Sequence, residues 1–278
     1  KVRAKEHGIW MPFGDISKID GWQDFGFKFH EGTENVPFDL ANNISVFRYT
    51  EPTTWWMSLP KETERSQDII IAERDRLAAQ NNEYAKAVKN SVMYDSQGNS
   101  CYQALDTPWC NGAVWSLNPN PYISEKPNGG TILWNETVKK NDYGPQAKDI
   151  RDGEYLDSLE GYVTSDLNYR REHFKYSTYP LTFDAQGKPV LFKGLSIWEF
   201  TKYISDDIHS INKLMFANSV PNRFTYLASL LDVMGTETNW LWEGKFNCET
   251  DNIMSLRRTI CYGKPYLFLM NTRFDDFG

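Results

Sequence analysis

Acids, amides and indoles gather where short apolar runs of this chain end. The run Tyr155-Leu156 in "DGEYLDSLEG" gives way to Asp157 and Glu160, with Asp166 close behind. "FRYTEPTTWW" leads to Glu51, Trp55 and Trp56, and "MFANSVPN" to Asn218 and Asn222. "VMGTETNW" carries Glu237, Asn239 and Trp240, and "LFLMNTRFDD" carries Asn271, Arg273 and Asp275. Acids repel, so the end of a packed strand is a costly place to collect them without a chemical use. Paired carboxyls are what hydrolysis of a glycosidic bond needs. One, protonated, releases the leaving oxygen; the other, ionised, attacks or activates water. Amides and histidines hydrogen-bond hydroxyls, and indole faces stack on sugar rings. Asp157 and Glu237 are the leading pair, with Glu160 and Glu51 as reserves. His30, Arg48, Trp55, Trp56, His173, Asn218, Asn239 and Trp240 are the candidate substrate contacts. Each has a plainer reading beside it: a helix cap for Asp157, an ion pair for Glu160 or Arg48, a satisfied core group for either histidine, core packing for the tryptophans.

Elements must hold these residues in place. Continuous apolar runs at Gly8–Phe13, Ile44–Tyr49, Ala113–Leu117, Gly153–Ser158, Lys213–Asn218, Leu231–Glu237 and Lys264–Met270 predict buried strands, and the alternating "FGFKFH" (Phe25–His30) predicts a further strand or hairpin arm. Lys61–Asn90 is rich in helix formers, and Ser196–Ile211 spaces Ile197, Phe200, Ile204, Ile208 and Ile211 as an amphipathic helix does. Asn222–Leu230 and Thr250–Tyr262 are shorter helix candidates, the last stopped by Gly263 and Pro265. Strands alternating with helices imply an α/β fold with a parallel sheet. No Gly-rich phosphate loop follows the first strand, which argues against a doubly wound sheet. Polar residues at many strand ends favour a (β/α)₈ TIM-type barrel, complete or short of a strand within this segment. The chain then reads as a single catalytic barrel domain with a loop-rich insertion near 99–130 over the mouth.

"DGEYLDSLEGY", "FANSVPN" and "LDVMGTETNW" resemble segments of (β/α)₈-barrel glycoside hydrolases from polysaccharide-degrading bacteria. The resemblance is to β-carrageenase-type hydrolases and, more distantly, to endo-α-N-acetylgalactosaminidase barrels. It implies that Asp157, in a Tyr-x-Asp strand, is the nucleophile. It further implies that Glu237, in a Thr-Glu-x-x-Trp strand, is the acid/base. The strand "KLMFAN" falls between the two acids, a departure from that second pattern that leaves retaining and inverting outcomes both open.

Composition narrows the partners. With 278 residues and 40% hydrophobic content the chain can bury a substantial core, and its 10 Trp, 15 Tyr and 16 Phe suit both that core and a sugar-binding surface. A net charge of −7 argues against a nucleic-acid partner. No apolar run reaches the roughly 20 residues of a membrane span. The local basic cluster Arg170, Arg171, His173 and Lys175 suits a solvated helix face or recognition of sulfate or uronate groups, and the resemblance to β-carrageenase-type hydrolases implies that an anionic or sulfated galactan is one candidate substrate. No His/Asp/Cys spacing calls for a metal, and no cofactor is expected. Cys101, Cys110, Cys248 and Cys261 allow two local disulfides or four free thiols. Starting at Lys1 with no leader-like stretch, the chain reads as a mature or excerpted segment. The expected substrate is a polysaccharide or oligosaccharide, and the expected location secreted, periplasmic or cell-surface. A non-catalytic carbohydrate-binding barrel is the alternative.

Overall fold

Seven strands form one all-parallel sheet in the computed structural model, which describes residues 4–107, 110–161, 166–238, 241–242, 245–246, 256–257 and 259–270. They are β1 (Trp10–Met11), β2 (Phe29–His30), β3 (Ser45–Thr50), β4 (Gly153–Leu156), β5 (Leu214–Asn218), β6 (Val233–Thr238) and β7 (Tyr266–Met270). From β2 to β7 each strand lies beside its neighbour in the chain, and β1 pairs with the last strand, Trp10 opposite Phe268 and Met11 opposite Leu269. A sheet whose first strand pairs with its last has curled round on itself. This is the (β/α)-barrel topology, nearly closed: among the described residues no ladder joins β1 to β2. Six of the seven apolar runs, together with the alternating run ending at His30, supply the barrel strands. The seventh, Ala113–Leu117, does not. It belongs to strand Asn111–Ser116, which pairs antiparallel with Thr54–Ser58 and Tyr102–Asp106.

The strands alternate faces along their length. Met11, Phe47, Tyr155, Phe216, Val233, Leu267 and Leu269 make one buried cluster, with Phe29 against it. Its centre is aromatic. Phe216 meets Phe47 edge-on at 5.3 Å and Tyr155 at 4.8 Å, and Phe29 lies 6.4 Å from Phe216. Such T-shaped contacts set the positive edge of one ring on the negative face of another. Space is tight at position 235, where a Cβ would sit 3.0 Å from the Leu267 carbonyl oxygen and 3.6 Å from the Phe216 ring. The alternate face of the same strands is polar in places. Arg48 of β3 grips Glu154 of β4 with two hydrogen bonds of 2.7 and 2.8 Å, and Tyr143 donates to the same carboxylate at 2.5 Å.

The chain divides into two compact units. The barrel strands lie in residues 1–50, 137–157 and 205–278. Residues 51–136 and 158–204 form the other unit. Its core joins Met57, Leu59, Ile70, Val88, Val92, Ala113, Trp115 and Leu117. The segment Lys61–Asn90, expected as one helix, is two: Gln67–Ala79 and Glu83–Ser91. Asn81 takes a left-handed φ of 63°, and the Asn82 side chain caps the second helix at the Ala85 amide. Asparagine accepts both roles, which is why a run of good helix formers breaks there. The expected helix at Ser196–Ile211 spans Lys193–Ser210 and buries Ile197, Phe200, Ile204 and Ile208. Stretch 99–130, expected to be loop-rich, holds two of the antiparallel strands and the start of helix Gly129–Leu133. Cys101, Cys110 and Cys261 are free thiols, and Cys248 lies outside the described residues.

Glu154 is fully buried, so its partner cannot be removed cheaply. Arg48→Met is expected to lower stability by about 3–5 kcal/mol in a urea melt, with much of the loss recovered by adding Glu154→Gln.

Candidate active site

Sites on a barrel stand on the inward positions just past the core. Phe29, Phe47, Tyr155, Phe216 and Val233 belong to the interior cluster. Two residues further along the same strands come Glu31, Tyr49, Asp157, Asn218 and Gly235, and two more along β6 comes Glu237. A period of two therefore delivers three carboxyls, one amide and one phenol to the C-terminal end of the barrel interior, the end where barrel enzymes keep their chemistry.

Asn218 ties the acids together. Its Nδ2 donates to Asp157 Oδ1 at 2.9 Å and to Glu237 Oε2 at 3.0 Å. Its own Oδ1 accepts the Ser219 backbone N–H at 2.6 Å, so the amide cannot turn its oxygen towards the acids without losing that bond. Laid end to end, the two donated bonds cap the separation of the acceptor oxygens at about 5.9 Å. Across the roughly 120° fork of a planar amide the separation is about 5 Å. Asp157 Oδ2 in turn accepts the Tyr49 hydroxyl at 2.6 Å. Both oxygens of Asp157 are thereby aimed, and the Tyr49 ring remains half-exposed beside them.

Glu31 completes the group. It is only 6% exposed, whereas Glu237 is open to solvent. Burial pushes the Glu31 carboxyl up to about 8; the Tyr155 hydroxyl pulls it down, while the charges of Asp157, Glu237 and Glu34 add to the rise. Tyr155 is itself fully buried and, by burial first and the neighbouring acids second, is held far above the usual phenol range. Its hydroxyl is near enough to Glu31 to be felt but does not make a well-formed hydrogen bond.

The remaining sequence candidates go elsewhere. His30, one residue before Glu31, faces the opposite side of β2. It is fully buried, with Nδ1 2.7 Å from Asp39 of helix Val36–Ala41. Arg48, one residue before Tyr49, serves Glu154 on the outer face. His173, in the second unit, is a satisfied core group. Its Nε2 lies 2.9 Å from the Asn90 carbonyl oxygen, and its Nδ1 3.2 Å from the amide nitrogens of Asn118 and Asn168. That arrangement suits a neutral ring with its proton on Nε2. Glu51 accepts from the Thr54 hydroxyl and, at 2.8 Å, from the Trp56 indole N–H. Trp55 packs against the second unit's core, and Glu160 is buried in that unit. Of the basic cluster, Arg170 bonds the Lys89 and Val92 carbonyls and lies over the Tyr94 ring, while Arg171 and Lys175 are exposed. Asn239, Trp240, Asn271, Arg273 and Asp275 lie outside the described residues. Among the described residues no group of three or more metal-ligating side chains is arranged to hold an ion.

No protein-family model matches the chain, and no curated protein matches it in sequence. Several solved structures resemble it, two of them as follows. One is Ega3 of Aspergillus fumigatus in complex with galactosamine, 9% identical, with a TM-score of 0.46 over 97% of this chain and 84% of that one. The other is the glycoside hydrolase domain of PelA from Pseudomonas aeruginosa, 10% identical, with a TM-score of 0.44 over 92% of this chain and 80% of that one.

His173 makes a measurable pH term. Burial, helped by the charge of Arg170, depresses it to about 4 from an ordinary 6.5. The unfolded chain takes up that proton from pH 6.5 downward and the folded one does not until pH 4, so acid costs stability across this window. The stability advantage of wild type over His173→Gln is expected to shrink by about 3 kcal/mol between pH 7 and pH 4, read by denaturant melts at each pH.

Proposed function

We propose that the chain is a glycoside hydrolase that cleaves a glycosidic bond of a polysaccharide with Asp157 and Glu237. The observation that carries this reading is the Asn218 amide, which bonds one oxygen of each carboxyl, at 2.9 and 3.0 Å, at the end of the barrel interior; a planar amide sets those two oxygens about 5 Å apart. Carboxyls about 5–5.5 Å apart suit double displacement with retention, since the gap is too small for a water between the base carboxylate and the sugar. In that sequence an Asp157 oxygen attacks the anomeric carbon as Glu237 gives its proton to the departing oxygen. Glu237 then takes a proton from water, whose oxygen displaces Asp157 and regenerates both groups. The Tyr49 and Asn218 donors aim the Asp157 oxygens before reaction. The exposed Tyr49 ring offers a face for a sugar to stack on.

The functional unit in this reading is one catalytic barrel domain into which residues 51–136 and 158–204 are inserted. Three carboxyls at the cleavage point favour a neutral or amine-bearing sugar there. A sulfated or otherwise anionic galactan fits less well, because Arg170 of the basic cluster is engaged by backbone carbonyls. A polymer substrate of this kind places the protein outside the cytoplasm, secreted, periplasmic or cell-surface. No described helix is long and apolar enough to cross a membrane.

The test is a panel of neutral, amine-bearing and sulfated polysaccharides scored for new reducing ends. Asp157→Asn and Glu237→Gln are each expected to lower kcat by about 10²–10⁴-fold on the substrate that wild type cleaves. Oligosaccharide binding by wild type with no release from any polymer would instead favour a non-catalytic carbohydrate-binding barrel.

A further inference from the structure

Asp157 is held by two donors that differ in what they can give up. The Asn218 amide is fully buried, and a left-handed φ of 58° at Ser219 brings the next backbone N–H onto its oxygen at 2.6 Å. The same amide nitrogen also bonds Glu237, so its 2.9 Å bond to Asp157 Oδ1 cannot be released without disturbing the other acid. Tyr49 bonds Oδ2 at 2.6 Å, yet it is 47% exposed. The ladder between β3 and β4 fixes its backbone. Tyr49 stands opposite Tyr155 with ring centres 5.6 Å apart, and the Thr50 carbonyl accepts the Asp157 N–H at 2.8 Å. Strand pairing therefore sets the phenol beside the carboxylate, and the donor that meets solvent is the one on Oδ2.

We propose that Asp157 attacks through Oδ2 and that Tyr49 is the positioning residue that yields this oxygen to the sugar and receives it back, so that the phenol serves the second half of the reaction. This rests on the hydrolase reading above. In the first half Oδ2 bonds the anomeric carbon, the bond to the leaving oxygen breaks, and Glu237 supplies that oxygen's proton. Asp157 becomes an uncharged ester, and the phenol loses its charged acceptor. In the second half a water oxygen bonds the anomeric carbon, Glu237 takes the water's proton, and the electron pair of the breaking bond returns to Oδ2. The Tyr49 proton stays on Tyr49 throughout, and its hydroxyl meets Oδ2 as the charge reappears. A hydrogen bond to a charged acceptor is stronger than one to a neutral acceptor. The phenol thus favours the free carboxylate over the ester and draws the ester towards breakdown.

The probe is a dinitrophenyl glycoside of the smallest oligosaccharide that wild type releases from the polysaccharide panel; dinitrophenolate departs without help from an acid. Tyr49→Phe keeps the ring, which is half in solvent, and removes the hydroxyl alone. Its first turnover should still give a full burst of dinitrophenolate, stoichiometric with protein, after which kcat falls about 10–100-fold below wild type. KM should fall with it, so that kcat/KM, which reports ester formation, changes far less. The intact mass of Tyr49→Phe at steady state should carry one oligosaccharide, found on Asp157 after proteolysis. A lost burst, or kcat and kcat/KM falling together, overturns the proposal and leaves the hydrolase reading standing. Rates equal to wild type do the same, since they are what a ring that only stacks on sugar would give. A wild type that releases nothing from any polymer ends both readings.

Discussion

A strand in a closed parallel sheet offers the interior only every second side chain, and the site depends on that rationing. Phe29, Phe47, Tyr155 and Phe216 take the inward places at the middle of the barrel and fill it with ring edges and faces. The next inward places are then polar on four strands at once: Glu31, Tyr49, Asp157 and Asn218. On β6 the Gly235 step keeps the crowded centre clear, so Glu237 stands two places on. The aromatic layer is thus both the core of the fold and the floor of the acidic group. A dry floor strengthens every charge interaction above it.

Charge repulsion is the problem the site must manage, and hydrogen-bond donors manage it. Asn218 spends both of its amide protons on Asp157 and Glu237, and the Ser219 amide keeps it facing that way. Tyr49 gives its hydroxyl to Asp157. Among the described residues Glu31 has no comparable donor, since the Tyr155 hydroxyl falls short of a formed bond, and it answers burial by keeping its proton. Neighbouring carboxyls held in different protonation states are how one site performs acid and base chemistry at one pH.

The barrel was legible because parallel strands, covered on both faces, read as apolar runs, and their chain order follows from their alternation with helices. Asp157, Asn218 and Glu237 were legible because each ends such a run. The parity was not. When both faces of a strand are buried, neighbouring positions look alike, so the sequence singles out His30 and Arg48 and passes over Glu31 and Tyr49, each one residue away on the inward face. The signal that separates them is the even spacing from Phe29 and Phe47, visible once the interior rings are known. The apolar run at 113–117 misled for a related reason: a strand paired antiparallel in the second unit, packed on that unit's core, is as apolar as a barrel strand. The break at Asn81 inside a good helical sequence shows the opposite limit, where one residue's backbone preference outweighs its neighbours.

Alternation has an evolutionary corollary. Between Thr50 and Gly153 the chain makes an excursion of about a hundred residues, and the strands on either side still pair Tyr49 with Tyr155. Sequence drift can therefore lengthen, shorten or replace what hangs between strand ends while leaving the acids where they are. A single codon gained or lost inside β2 is another matter. It would exchange His30 with Glu31 across the sheet, turning an imidazole inward and a carboxyl outward in one event. Lineages of this barrel should differ freely in their connections and hardly at all in strand length.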